Sequence, residues 1–446
     1  MPSSLLALLL ACTPEAPTPA PAPPPVAPPT EPWHDALAVP VPDLPSPATC
    51  PDADGDGFPS ALACPATPPD QADCDDDDRE VTPATERWVR PGPFLMGSAS
   101  PEAGHDEQPV HVVTLSGYCL DRTEVGAAAR GDPAPDRADL PVEGLSWEEA
   151  RALCSSLGKA LPTEAQWEKA ARGGCEGGDD PTRCDPGDLH PYPWGSASPD
   201  CTRANHAQVG PTGPHPCQGE PLPVGSLPAG AGPYGHLDLA GNVWEYVADA
   251  YHPTVYGDGT PRTDPGGPAE GTVHGMRGGA WDTFSTNMRA ANRFQDLVMG
   301  SAGGVRCARP TVAPALDAVP ALALVHFRGT VARTDGGPLT GRALYVTAFD
   351  ARDLAPGGLP LPGRSPLAEV RLAPTGAAAL AFDLPVPQGA QVLIAAALDA
   401  GAPAPGAPPS GSGGVGQLDH LLRADADHDA LELRLDPLPA GGPPAP

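Results

Sequence analysis

The spacing of apolar residues changes character along this chain. Ser146-Trp147-Glu148-Glu149 has the form of a capping box, in which a Ser hydroxyl and a Glu three residues later satisfy each other's backbone N–H groups. Apolar Ala150, Leu153, Cys154 and Leu157 follow at helical spacing and stop at Gly158. Thr163-Glu164-Ala165-Gln166 repeats the signature, with Trp167, Ala170 and Ala171 on one face and Gly173-Gly174 as the stop. Two short helices are predicted, set among irregular stretches and short strands. Such a core needs cross-links or bound ions to hold it. From about residue 320 the pattern shifts to ALALVHFRGTVART, ALYVTAFDA, AEVRLAP, ALAFDLPVP, AQVLIAAALDA and ALELRLDPL, short runs parted by Gly and Pro turns. These predict an antiparallel all-β sandwich of about seven strands over 320–437. Asp399 at the end of one run and Asp419, Asp425, Asp427 and Asp429 between the runs read as solvated turn acids.

At the other end, Leu5 to Leu10 is followed by Ala11 and Cys12. A run this short cannot span a bilayer, but it suits the apolar part of an export signal. Leu9-Leu10-Ala11-Cys12 resembles the bacterial lipoprotein signal. That resemblance implies a signal over 1–12, an acylated Cys12, attachment to a membrane through the lipid, and a place in the bacterial envelope at the outer membrane or cell surface. Residues 13–49 are Pro- and Ala-rich and read as an extended polyproline II spacer. Residues 438–446 read as a disordered tail. No later apolar stretch is long enough for a transmembrane helix.

With 65 prolines, 52 glycines and 5% aromatic residues among 446, much of the chain lies outside any packed core, so two cores joined by linkers are expected. The formal charge is -30 and the only lysines are Lys159 and Lys169. No basic stripe exists to neutralise phosphates, which excludes a nucleic-acid partner. Beyond Cys12 ten cysteines remain, and an even number in an exported chain reads as disulfides. Cys175 with Cys184 and Cys201 with Cys217 are close enough in sequence to be local staples, while Cys50, Cys64, Cys74 and Cys119 stay unassigned. There is no C-x-x-C pair, which sets zinc aside.

Residues 50–87 form an acidic module. In Asp52-Ala53-Asp54-Gly55-Asp56-Gly57, alternate carboxylates can turn inward on one hard cation. An EF-hand needs Glu eleven residues after Asp52, where this chain has Ala63. With CDDDD at 74–78, the segment resembles the short calcium-binding Asp-rich repeats of bacterial surface proteins and thrombospondin type 3 stalks, which implies calcium on Asp52, Asp54 and Asp56.

Between these modules, FLMGS (94–98), DRTEV (121–125), PVEGLSWEEARALC (141–154), GKALPTEAQWEKAARGG (158–174), YPWG (192–195), GNVWEY (241–246), RGGAW (277–281) and GVRC (304–307) stand in one order. Together they resemble the formylglycine-generating enzyme, or sulfatase-modifying factor, domain over 88–310. The resemblance implies an α+β, C-type-lectin-related fold with sparse secondary structure and bound calcium. It implies a Cys154–Cys307 disulfide, and it places a second family disulfide on Ala171 and Ala290, where both partners are lost. A family calcium site falls on Asp238, Gly241, Val243 and Glu245, the glycine and valine contributing carbonyls. A second retains Asn205, with the His206 carbonyl beside it, while its later acid falls near Pro216.

In the copper-dependent members, the segment after the Gly pair supplies a Ser, two cysteines for Cu(I) and a His. Here these positions are Ala280, Thr283, Met288 and Phe284. Cu(I) requires soft thiolates, so copper is not expected and no catalytic residue is assigned. Arg277, Arg289 and Arg293 read as carboxylate-pairing residues, or as the lining of a groove for an acidic peptide. His105, His111, His190, His206 and His252 are the residues left for an iron site, and no H-x-x-x-H spacing links the 12 histidines. The expected function is a calcium-stabilised scaffold for a peptide or protein ligand. The alternative is the family's oxidation of a sulfatase Cys to formylglycine, or a non-haem iron oxidation.

Overall fold

The structure is a computed structural model that describes residues 50–131, 137–175, 184, 186–210, 213–268, 270–296, 303–317, 321–340, 343–354, 366–399, 414–417 and 422–437. Cys12, the expected signal, the 13–49 spacer and the 438–446 tail lie outside the described residues. The chain divides into two compact units, one running to Gln295 and including Ala302–Ala321, the other built mainly from Leu322 onward.

In the first unit, strands are short because glycine and proline interrupt them. β1 (Glu86–Val89), β4 (Tyr118–Asp121) and β13 (Ala308–Pro310) make one antiparallel sheet with β4 in the middle. β2 (Gly92–Met96) pairs with β3 (His111–Leu115), which takes β8 (Arg262–Thr263) in parallel on its other side. A third sheet runs β11 (Phe294–Gln295), β10 (His274–Arg277), β7 (Trp244–Ala250) and β12 (Gly303–Gly304). β5 (Ala207–Gly210) with β6 (Gly213–Pro216), and β9 (Pro265–Pro268) with β14 (Ala315–Asp317), are two-stranded. Glycine is required in β12: a Cβ on Gly304 would lie 2.6 Å from the Val142 carbonyl oxygen.

Both predicted helices form. α1 (Trp147–Ser156) begins at Ser146, whose N–H donates to Glu149 Oε2 at 2.8 Å while its Oγ accepts from the Glu149 N–H at 3.2 Å. α2 (Glu164–Arg172) begins at Thr163 with the same exchange to Gln166 and stops at Gly173, whose φ of +96° suits glycine. Every residue of α2 is buried, including its charges. Lys169 Nζ donates to the carbonyls of Arg90 and Gly92 at 2.7 and 2.9 Å. Phe94, Met96, Val113, Leu115, Tyr118 and Leu120 pack with Ala165 and Ala170 of this helix.

Five disulfides lock the unit. Cys154–Cys307 joins α1 to the end of the domain across 153 residues, a loop whose closure stabilises by about 5 kcal/mol on chain-entropy grounds. Cys175–Cys184 and Cys201–Cys217 close local loops. The cysteines that sequence left unassigned pair as Cys50–Cys64 and Cys74–Cys119, the latter fastening the acidic module to β4. Ala171 and Ala290 share one buried cluster with Trp167, Leu239 and Val247, so apolar packing stands where the family has a second bridge.

The second unit is one hydrogen-bonded set of eight strands: β15 (Leu324–Arg333), β16 (Ala343–Asp350), β17 (Ala368–Leu372), β18 (Ala379–Pro387), β19 (Gln391–Asp399), β20 (Gly414–Gln417), β21 (Leu422–Arg423) and β22 (His428–Pro437). Their order is β17-β16-β19-β20-β22-β15-β18, with β21 pairing β19. Most pairs are antiparallel, but β15 and β22 run parallel. Alternate residues Leu344, Val346 and Ala348 of β16 face one core with Phe327, Phe382, Leu384, Ile394 and Leu433. The other face of β16 packs Tyr345 and Phe349 against Ala395 and Ala397.

Candidate functional site

β10 delivers the chain into Gly278 and Gly279, both at positive φ, and then into the turn that carries copper thiolates in the family. A Cβ on Gly279 would lie 2.2 Å from the Met288 methyl, so the missing side chain leaves room for that methionine. Met288 is fully buried with Ala204 and Ala240, and Tyr192 and Trp194 pack over it with their rings stacked 5.4 Å apart. Thr283 Oγ1 donates to the Ala280 carbonyl at 3.0 Å and accepts from the Ala280 N–H at 2.8 Å. One position thus holds a hydroxyl engaged in its own turn, and the other a lone thioether in an apolar cluster. This donor set does not fit Cu(I).

The three arginines behind the turn are buried and matched by glutamates. Arg277 pairs with Glu168, Arg289 with Glu107 through both terminal nitrogens, and Arg293 with Glu164 through Nε and Nη2, each at 2.8 Å. Glu107 and Glu164 come from a short 3-10 turn and from α2. The arginine-lined groove for an acidic peptide is therefore replaced by closed ion pairs, because fork-shaped guanidinium groups out of water bind carboxylates tightly.

A second acidic group gathers near the GNVWEY turn. Glu245, fully buried on β7, accepts from Arg306 Nε and Nη2 at 2.7 Å each and from Trp167 Nε1 at 2.6 Å. Asp238, at φ +59°, accepts the Gly225 N–H at 2.6 Å. Glu124 joins them without having been singled out: it accepts from Asn242 Nδ2 at 2.6 Å and from the Val243 N–H at 3.0 Å. Burial pushes the Glu124 carboxyl well above the usual range, and the charges of Asp238 and Glu245 push it further. Three carboxyls thus lie near two cations, Arg306, which pairs with Glu245, and Arg122, which acts on Asp238. Asn205, expected in a separate site, lies in the same neighbourhood: its carbonyl accepts the Asn242 N–H at 2.9 Å, and it bridges Gly241 in parallel. Its side-chain Oδ1 is buried without a hydrogen-bond partner. The signal for Glu124 was present in the DRTEV motif, but only the fold shows what it meets.

The acidic module forms the other cation-type arrangement. Carboxylate oxygens of Asp52, Asp54 and Asp56 lie within 4.8 Å of one another. Asp52 Oδ1 accepts the Gly55 N–H at 2.8 Å and Oδ2 accepts the Gly57 N–H at 3.2 Å. Asp73 comes from a distant part of the segment and is almost fully buried, and burial lifts its carboxyl to about 6. Asp73 directly precedes the CDDDD run, and nothing in the sequence sets it apart from the solvated aspartates that follow.

Among the described residues, no group of three close metal-type ligands contains a histidine. His111 is buried on β3 and stacks on Tyr256 at 5.1 Å, and His206 Nδ1 contacts the Ala207 carbonyl at 2.8 Å.

Residues 71–311 match the sulfatase-modifying factor enzyme 1-like domain, and the chain belongs to that family. The formylglycine-generating enzyme of Thermomonospora curvata is 32% identical over 241 residues, covering 49% of this chain and 69% of that protein. The serine/threonine-protein kinase pkn1 of Chlamydia caviae is 30% identical over 257 residues, 50% of this chain and only 37% of the relative. Among solved structures, PvdO from Pseudomonas aeruginosa covers 50% of this chain and 94% of its own at 22% identity, with a TM-score of 0.38. A domain of few helices and mostly short strands is consistent with this family. Its five disulfides fit an extracytoplasmic protein. Among the described residues no helix is long and apolar enough to cross a membrane.

Proposed function

We propose that residues 71–311 act as a binding scaffold for a peptide or protein ligand, stabilised by calcium and without the family's copper oxidase chemistry, in an envelope protein tethered by a lipid on Cys12. The observation that carries this reading is the turn after Gly279, where Thr283 closes onto Ala280 and Met288 is packed into an apolar cluster. Calcium would be held by Asp238 and the carbonyls of Gly241 and Val243, with Glu245 and Glu124 adding negative charge. The three carboxyls of Glu124, Asp238 and Glu245 outnumber Arg306 and Arg122, and with the unpartnered Asn205 Oδ1 they fit a hard oxygen-seeking cation. Because Arg306 and Trp167 already engage Glu245, that residue would act through its charge unless Arg306 moves. The C-terminal strands form a sandwich in this reading, and the central fold is C-type-lectin-related.

The similarity to the T. curvata enzyme favours the second reading, oxidation of a sulfatase Cys to formylglycine. Incubating the purified chain with Cu(I), oxygen and a Cys-containing sulfatase peptide, alongside an active family enzyme, separates the two by mass spectrometry. Unchanged peptide is the expected result. Aldehyde product that grows with time would reject the scaffold.

A further inference from the structure

We infer that Arg87 and Arg122 form an open anion-binding pair on the first unit, which takes a carboxylate presented by a peptide ligand. The inference rests on the scaffold reading and deepens it by naming the group that the ligand offers.

Strand pairing sets the two arginines side by side. β1 and β4 match Glu86 with Asp121 and Arg87 with Leu120, and the Arg122 N–H carries the pairing one step further by donating to the Thr85 carbonyl at 2.9 Å. Arg122 is thus the diagonal neighbour of Arg87 on one face of the sheet, a separation that long side chains bridge. The Gly235–Leu237 segment crosses that face. The Leu237 N–H donates to the Arg122 carbonyl at 2.7 Å, and a Cβ on Gly235, at φ +87°, would lie 3.3 Å from Arg87 Nε. Glycine therefore keeps that edge of the guanidinium clear of a side chain.

Both guanidinium groups are short of partners. Arg87 and Arg122 are half-buried, and the Nε of each is buried without a hydrogen-bond partner. Arg87 Nη1 donates to the Pro69 carbonyl at 3.4 Å. Among the described residues neither arginine forms an ion pair. In a chain of 56 acidic and 26 basic residues this sets them apart from Arg277, Arg289, Arg293 and Arg306, each of which closes on a glutamate. Burial lowers the hold of Arg87 on its proton and the Arg122 charge lowers it further, with Asp70 opposing. An anion placed between two such cations relieves their repulsion and supplies the missing acceptors.

Guanidinium forks match carboxylates and phosphates alike. The surroundings favour the smaller charge. Asp70 is near enough to act on Arg87, and Asp238 near enough to respond to Arg122. A phosphate group brings a charge of about −1.5 to −2 against these aspartates, whereas a carboxylate brings one negative charge to two positive ones.

The test is an NMR titration of the arginine Nε–H signals of the full chain with an acetylated, amidated pentapeptide carrying two glutamates, with its glutamine counterpart, and with acetate and inorganic phosphate. Arg87→Gln and Arg122→Gln each delete one signal and so assign it; Arg151→Gln, which changes an exposed arginine over the Trp147 ring, is the control. The glutamate peptide should shift both signals, and the glutamine peptide should bind about tenfold more weakly or worse, the effect of losing a hydrogen bond to a charged group. Each of the two variants should weaken the response of the remaining signal by a similar factor, while Arg151→Gln leaves it unchanged. Thermal melting near that of the parent shows that the variants are folded. Signals that stay in place with the glutamate peptide, or move equally with the glutamine peptide, would overturn the inference, as would phosphate acting at lower concentration than acetate. A glutamine peptide that binds while both signals stay still leaves the scaffold standing and sinks this site; aldehyde formation in the sulfatase-peptide assay, with the two signals still responding to the glutamate peptide, does the reverse.

Discussion

The first unit buries charge and cross-links itself, whereas the second buries alternating aliphatic residues across long strands and lies beyond the last cysteine. Arg277, Arg306 and Lys169 rank among the largest fully buried side chains of the chain, beside Trp167 and Trp244. In the second unit the equivalent positions are Phe327, Val346, Ile394 and Leu433. The difference follows from strand length. Two-residue strands such as β8, β11 and β12 cannot align enough apolar side chains to set register, so directional ion pairs and disulfides do so. Strands of eight to ten residues such as β15, β16 and β22 set register by alternation alone.

The sharpest way to break this comparison is to remove the Cys154–Cys307 bridge with Cys154→Ser and Cys307→Ser together. The first unit should lose about 5 kcal/mol, read by urea unfolding, while the transition of the second stays in place. Arg306→Met comes next. It leaves Glu245 buried with only the Trp167 N–H for company, at a cost of about 4 kcal/mol to the same unit, and adding Glu245→Gln should recover part of the loss. If Arg306→Met proves neutral, buried charge is not what orders this unit.

The smallest expected effect lies in the second unit and depends on pH. Burial pushes the Glu369 carboxyl up to about 7, against the opposing hydrogen bond from Thr347 Oγ1 at 2.9 Å. The folded state then holds a proton that the unfolded chain releases above its ordinary value of 4.5. Stability is therefore greatest below that value and falls as pH climbs through 7, by about 3 kcal/mol, then levels. Glu369→Gln should flatten the profile in denaturation measured across that range, and a slope that survives the substitution would place its source elsewhere.

How much of this was legible in advance depended on distance along the chain. Capping boxes at Ser146 and Thr163 act over three residues, and both helices form where those motifs begin and end. The short staples Cys175–Cys184 and Cys201–Cys217 were likewise readable from proximity. Cys74–Cys119, the parallel β15–β22 pairing and the contact of Glu124 with Asn242, 118 residues away, were not. Nothing local in Glu124 or Asp73 distinguishes a buried carboxylate from the many solvated ones in so acidic a chain. At the turn beyond Gly279 the residue types were visible, while the engagement of Thr283 and Met288 needed coordinates.

Both of the chain's lysines lie inside the first unit: Lys169 caps two carbonyls from within α2, and Lys159 is held between Glu86 and Asp121 at 2.7 and 2.5 Å. The native fold therefore offers side-chain amines almost no contact with water. Lysine side chains meet acylating reagents and trypsin only when this unit opens, which makes lysine reactivity a gauge of its unfolding.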